Sequence, residues 1–154
     1  MNGTLVIGIG NPTRGDDAVG REVVNRLRGV SSAIAVREEA AEAAALMEAW
    51  QGWDRVILVD AAAADAAPGT VRRFEAHRRP LPASLFKGTK QGAGVDRAIE
   101  LSRALGLLPK SLVVFTVQAQ DLAAGHGLSP AVTAAIGGLV KQVWEEAAAV
   151  PQEA

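Results

Sequence analysis

The chain has 154 residues, 49% of them apolar, and a formal net charge of -1, which suits one globular domain with its own core and argues against disorder. The near-zero charge also argues against a general nucleic-acid or anionic-membrane binder. The absence of cysteine excludes disulfides, a catalytic thiol and thiolate metal sites, and is compatible with a cytoplasmic protein.

The N-terminus lacks the basic region and apolar core of a signal peptide, and no apolar run reaches the length of a membrane span. No internal repeat is present. Thr4 to Ile7 reads as a buried first strand, and Val19, Val23, Val24 and Leu27 form the apolar stripe of a first helix. Between them lies a glycine-rich turn with two adjacent acids, Gly8-Ile9-Gly10-Asn11-Pro12-Thr13-Arg14-Gly15-Asp16-Asp17. Gly8 and Gly10 permit a sharp backbone turn. Asp16 sits where a helix N-cap belongs, and the helix dipole favours an acid there. Asp17 exceeds what capping needs. Two readings compete: a tight turn with a capping acid and a solvated neighbour, or a ligand site at the carboxyl end of a central strand. A dinucleotide site does not fit, because the spacing departs from G-x-G-x-x-G and two acids would repel a pyrophosphate.

Gly29 stops the first helix. Ala33 to Val36 reads as a second strand, and Glu38 to Trp50 as a second helix with Leu46, Met47 and Trp50 on its buried face. Gly52 ends it. Arg55 to Asp60 is the clearest strand, with a continuous apolar run that suits a central position. If the strands are parallel, Asp60 leaves the sheet at the edge that carries the glycine turn. Ala61 to Ala67 reads as an alanine loop, Pro68-Gly69 as a turn, and Thr70 to Phe74 as a polar strand near an edge. Ala76 to Gly92 reads as a long loop, with His77 solvent-exposed rather than a ligand.

Gly94 to Leu105 has Val95, Ala98, Ile99, Ser102 and Leu105 at helical spacing. Leu112 to Val117 is a buried strand. Gln118 to Gly127 is a loop that holds His126. Ser129-Pro130 starts a last helix with the stripe Val132, Ile136, Leu139, Val140 and Val143. Residues 1–150 read as one domain and residues 151–154 as a frayed tail. The order β-α-β-α-β-β-α-β-α implies a three-layer α/β/α sandwich around a mostly parallel sheet, with one strand free to run antiparallel after the short step from the third to the fourth.

Four blocks in this order resemble the hydrogenase maturation proteases, endopeptidases that process nickel-iron hydrogenase large subunits. They are Gly8-x-Gly10-Asn11-x4-Asp16-Asp17-x2-Gly20, and Val59-Asp60-Ala61 followed by Pro68-Gly69-Thr70. The other two are Ala98-Ile99-Glu100-Leu101-x-Arg103-Ala104-Leu105-Gly106-x2-Pro109 and Gly127-Leu128-Ser129-Pro130-x-Val132. The resemblance implies a mixed five-stranded sheet with helices on both faces, of the phosphorylase/hydrolase-like kind. It implies removal of a short C-terminal tail from a nickel-loaded large-subunit precursor, in the cytoplasm. The nickel is then sensed in the substrate, and no tightly bound metal of the protein's own is expected. A monomer is the favoured state.

Carried over from the family, the metal-contacting acids are Asp17 and Asp60. The family's third contact is a histidine; alignment through Gly94 puts Gln91 there, and a shift of one residue offers Lys90. Gln91 offers only a neutral amide oxygen and a protonated lysine has no lone pair to give, whereas nickel favours imidazole. The family's Gly-Thr after the second strand is Ala40-Ala41 here. Neither remaining histidine is an obvious substitute: His126, in the final loop, serves only if that loop approaches the same sheet edge, and His77 is less suited still. No G-x-S-x-G, H-E-x-x-H or cysteine nucleophile is present, which leaves metal-assisted or carboxylate general-base hydrolysis. The alternative is a module of the same fold that binds its partner without cutting it, motivated by the missing histidine.

Overall fold

The structure, a computed structural model, describes residues 3–86 and 93–149. Strands β1 (Thr4–Ile9), β2 (Ile34–Glu39), β3 (Arg55–Ala62), β4 (Val71–Glu75) and β5 (Ser111–Gln118) form one sheet in the order β2-β1-β3-β5-β4. All neighbours are parallel except β4, which runs antiparallel to β5. Helices α1 (Val19–Leu27), α2 (Ala43–Trp50), α3 (Ala93–Leu105) and α4 (Pro130–Ala148) complete the three-layer sandwich.

Alternation along the central strands divides the core in two. Leu5, Ile7, Val56, Leu58, Leu112 and Val114 face α2 and α3, where they meet Leu46, Trp50, Val95 and Ile99. Val6, Ile57, Val59, Val113 and Phe115 face α1 and α4, where they meet Val23, Val24, Ile136 and Leu139. The apolar runs of β1, β3 and β5 thus reflect strands covered on both sides. Edge strands β2 and β4 are only half-buried along most of their length.

Several boundaries differ from the sequence reading. Glu38 and Glu39 belong to β2 rather than to a helix, because β1 pairs with β2 out to Glu39. Helix α2 starts only after Glu42, whose carboxylate caps it by accepting from the N–H groups of Ala44 (3.1 Å) and Ala45 (2.8 Å). Strand β3 runs past Asp60 to Ala62, because β5 supplies partners that far. The first two residues of the expected alanine loop are therefore buried strand. Leu105 is 58% exposed, at the end of α3 beyond the reach of the core. His77 is half-buried rather than solvated; its Nδ1 accepts from the Leu112 N–H at 3.0 Å. The expected frayed tail, residues 151–154, lies outside the described residues.

The fold brings the start of α1 hard against the sheet. A Cβ on Gly20 would lie 2.3 Å from the Val59 carbonyl oxygen and 2.7 Å from the Ile9 backbone. Only a glycine allows that approach, which sets the two acids before α1 at the carboxyl ends of β1 and β3.

Candidate active site

The glycine turn leaves β1 through Gly10, whose φ of 139° is a conformation that favours glycine, and where a Cβ would meet the Asp17 carbonyl oxygen at 1.9 Å. Gly8 remains in β1, in register with Glu38 of β2 and Val59 of β3. Asn11 folds the next residues over itself: its Oδ1 accepts from the Thr13 N–H (2.9 Å) and hydroxyl (2.7 Å). The backbone then makes a short 3-10 turn, Gly15–Ala18, before α1.

This turn separates the two acids. Asp16 is not the N-cap expected from sequence; neither the 3-10 turn nor α1 has a side-chain cap. Its fully buried carboxylate turns instead into the loop between β5 and α4. Oδ2 accepts from the N–H groups of Gln120 (2.7 Å) and Asp121 (2.9 Å) and from the Ser129 hydroxyl (2.8 Å), and Oδ1 accepts from the Ser129 N–H (2.6 Å). The Asp16 N–H donates to the Asp121 carbonyl at 2.7 Å. The reason is topological: β5 delivers its loop beside β1's turn, and that loop has three N–H groups with no ladder to join. Asp16 is thus the clamp that joins the first loop of the chain to the last.

Asp17 points the other way. Its Oδ2 accepts from the Asn11 N–H at 2.8 Å, so the turn fixes one oxygen and leaves the other without a donor among the described residues. Asp60 in β3 has the same pattern: Oδ1 accepts from the Ala61 N–H at 2.8 Å, and no other described residue donates to it. The two acids are buried, with residual exposures of 7% and 2%. Burial pushes the Asp60 carboxyl well above the usual carboxylate range, the negative charge of Asp17 pushes it further, and the Ala61 N–H only partly offsets them. Such a carboxyl is suited to take a proton from water or to yield its own when a cation enters.

Against the glycine turn lies a cleft of about 330 Å³ lined by Gly10, Asn11, Pro12, Arg21, Ala40 and Ala41. Arg21 was not singled out by sequence reasoning. Its Nε donates to the Gly10 carbonyl at 2.7 Å and it pairs with Glu38 at 3.4 Å, which pins the glycine turn to β2. Gln118 was missed as well. Buried at the end of β5, it exchanges hydrogen bonds with the Ala64 backbone (2.9 and 3.2 Å) and holds the chain just after Asp60. Neither carries a sequence signal, since both act through backbone that only the sheet order brings near.

Of the candidate metal contacts, Asp17 and Asp60 are brought together. Gln91 and Lys90 lie outside the described residues. The final loop does reach the same sheet edge, through Asp16 and through the Gly125 N–H, which donates to the Thr13 carbonyl at 2.9 Å. His126, however, is exposed and its Nδ1 is engaged by the Asp121 carboxylate at 2.5 Å. The Ala123 N–H and then His126 hold that carboxyl below its ordinary range. Among the described residues no three His, Cys, Asp or Glu side chains cluster closely enough to hold a metal.

A family profile described as hydrogenase maturation protease matches residues 24–146. The matched stretch includes Asp60 and begins after Asp17. Among solved structures, an endopeptidase from Escherichia coli has a TM-score of 0.81 at 25% identity, with 95% of this chain and 94% of that chain covered. The E. coli hydrogenase maturating endopeptidase HybD has a TM-score of 0.77 at 24% identity, with 92% and 89% covered. HybD from Thermococcus kodakarensis, a [NiFe] hydrogenase maturation protease, has a TM-score of 0.72 at 22% identity, with 94% and 99% covered. No curated protein matches the sequence.

Proposed function

The chain belongs to the hydrogenase maturation protease family, and from that premise we propose that it removes a short C-terminal tail from a nickel-loaded hydrogenase large-subunit precursor. The observation that carries the reading is the pair of buried carboxylates, Asp17 and Asp60, each held by one backbone N–H and each with a second oxygen left to a ligand. The nickel belongs to the substrate. It reaches the site already coordinated, and the two acids read its presence with their remaining oxygens. Gln91 stands as a weak third contact.

In the hydrolytic step a water attacks the scissile carbonyl carbon. Its proton passes to a carboxylate, the C–N bond breaks, and the leaving amine takes up that proton. Asp60 serves as that base, its proton affinity raised by burial and by the charge of Asp17. The substrate chain would enter along the cleft lined by Gly10, Asn11 and Ala41, next to the glycine turn that holds Asp17. No described helix is long and apolar enough to cross a membrane, and we place the reaction in the cytoplasm, with the protein acting as a monomer.

The second reading, a module that binds the precursor without cutting it, is motivated by Gln91, which the family resemblance aligns with the family's histidine. Intact mass of a nickel-loaded cognate precursor, before and after incubation, separates the two. Loss of a C-terminal tail with the native protein, and not with Asp17→Asn or Asp60→Asn, is the expected result. A stable complex with no mass change would overturn the protease reading in favour of the binding module.

A further inference from the structure

Thr116 lies next to Asp60. The two are a register pair of the parallel strands β5 and β3. Val56, Leu58 and Ala62 on β3, and Leu112 and Val114 on β5, face the α2 and α3 layer. The period of two therefore puts Asp60 and Thr116 on that same face. Paired strands run about 4.8 Å apart, so their side chains are immediate neighbours.

Thr116 is fully buried, and its hydroxyl has no hydrogen-bond partner among the described residues. A buried hydroxyl without a partner costs stability, and a valine would fill the same volume without that cost. Valines occupy the neighbouring positions 113, 114 and 117. Packing thus gives no reason for the hydroxyl. On the other side of Thr116, Arg72 of β4 is its register partner, but that guanidinium stacks over Phe74 at 4.8 Å and has no acceptor role to offer. Asp60 does have one, in the oxygen not held by Ala61. Threonine's hydroxyl can take any of three staggered χ1 positions, and Asp60 is its register neighbour on the same face.

We propose that Thr116 is a positioning residue for Asp60: its hydroxyl hydrogen-bonds the Asp60 oxygen not held by Ala61 and so orients that oxygen's remaining lone pair toward the substrate. The inference rests on the reading of Asp60 as a working carboxylate of the site. It deepens that reading by assigning the orientation of this acid to β5, a strand that contributes none of the family's metal contacts.

The test compares native protein with Thr116→Val, which removes only the hydroxyl, and Thr116→Ser, which keeps it. The Asp60 carboxyl carbon signal is followed by NMR at pH 7, alongside the denaturation midpoint and steady-state precursor processing. In Thr116→Val the midpoint should fall modestly, as for the loss of one buried hydrogen bond, the Asp60 signal should move, and kcat should fall about tenfold with KM unchanged. Thr116→Ser should restore the signal and bring kcat to within about twofold of native. An Asp60 signal identical in all three proteins, or a kcat unchanged in Thr116→Val, overturns the proposal. If native protein processes nothing, the proposed function fails, while the Asp60 signal still decides the link between the two side chains. Should Thr116→Val not fold, Thr116→Ala supplies the hydroxyl-free form.

Discussion

Replacing Asp16 tests whether the first acid of the pair is a structural clamp. Its carboxylate accepts three hydrogen bonds on Oδ2 and one on Oδ1 in a fully buried setting. Asp16→Ala strands the N–H groups of Gln120, Asp121 and Ser129. An orphaned buried donor costs about 1–3 kcal/mol, but Gln120 is exposed at the surface and can turn to water. Two lasting orphans then put the loss at roughly 4 kcal/mol. Asp16→Asn keeps an acceptor toward Gln120 and Asp121, but its amide N–H group would face the Ser129 N–H, donor against donor. One such conflict puts its cost at about 2 kcal/mol. Urea denaturation gives both values. Amide exchange reports the loop directly: Gln120, Asp121 and Ser129 should all lose protection in Asp16→Ala, and Ser129 alone in Asp16→Asn. A loss below about 1 kcal/mol for Asp16→Ala, with protection retained, would refute the clamp.

Asp60→Asn should stabilise the protein above pH 5 and change little near pH 3. Folded Asp60 binds its proton more tightly than unfolded Asp60, whose value is near 3.8, so its contribution to stability is present below that pH and lost as pH rises through the folded pKa. Asparagine escapes this loss, and thermal melts from pH 3 to 8 would show the gap opening with pH. Asp17→Asn and Asp60→Asn should each lower processing by about 100-fold or more at unchanged fold, measured by initial rates and circular dichroism. Gly20→Ala should cost about 3 kcal/mol or prevent folding, because its Cβ would sit 2.3 Å from the Val59 carbonyl; soluble yield and urea midpoint check this. Gln91→His should raise nickel affinity by about tenfold or more in a calorimetric titration, through the added imidazole.

Much of the fold was legible because its signals are local. The apolar runs of β1, β3 and β5 and the stripe of α4 follow from periods of two and 3.6 residues and from burial on one or two faces. The antiparallel β4 was anticipated from the short, turn-rich connection after β3, which leaves no room for a crossover helix. Asp17 and Asp60 could be paired from sequence through the parallel-sheet rule, together with the family resemblance. Element ends were less legible. Glu38 and Glu39 carry helix-forming side chains, yet β1 draws them into a ladder. Asp60 looked terminal only because the alanines after it are small, while β5 extends the pairing to Ala62.

By itself, the sequence determined which residues could be strand, helix and turn, and that two acids and a strand-borne aspartate were available for chemistry. Tertiary structure alone decided how the adjacent acids divide their work. Asp16 is drawn away because β5 lands beside β3 and drops a loop of unpaired N–H groups onto it, a contact across more than 100 residues. Asp17 keeps one oxygen without a donor among the described residues, because the Asn11 N–H occupies only the other. The sheet order likewise set Thr116 beside Asp60 and Gln118 beneath the loop after it, as no local pattern encodes which strands become neighbours.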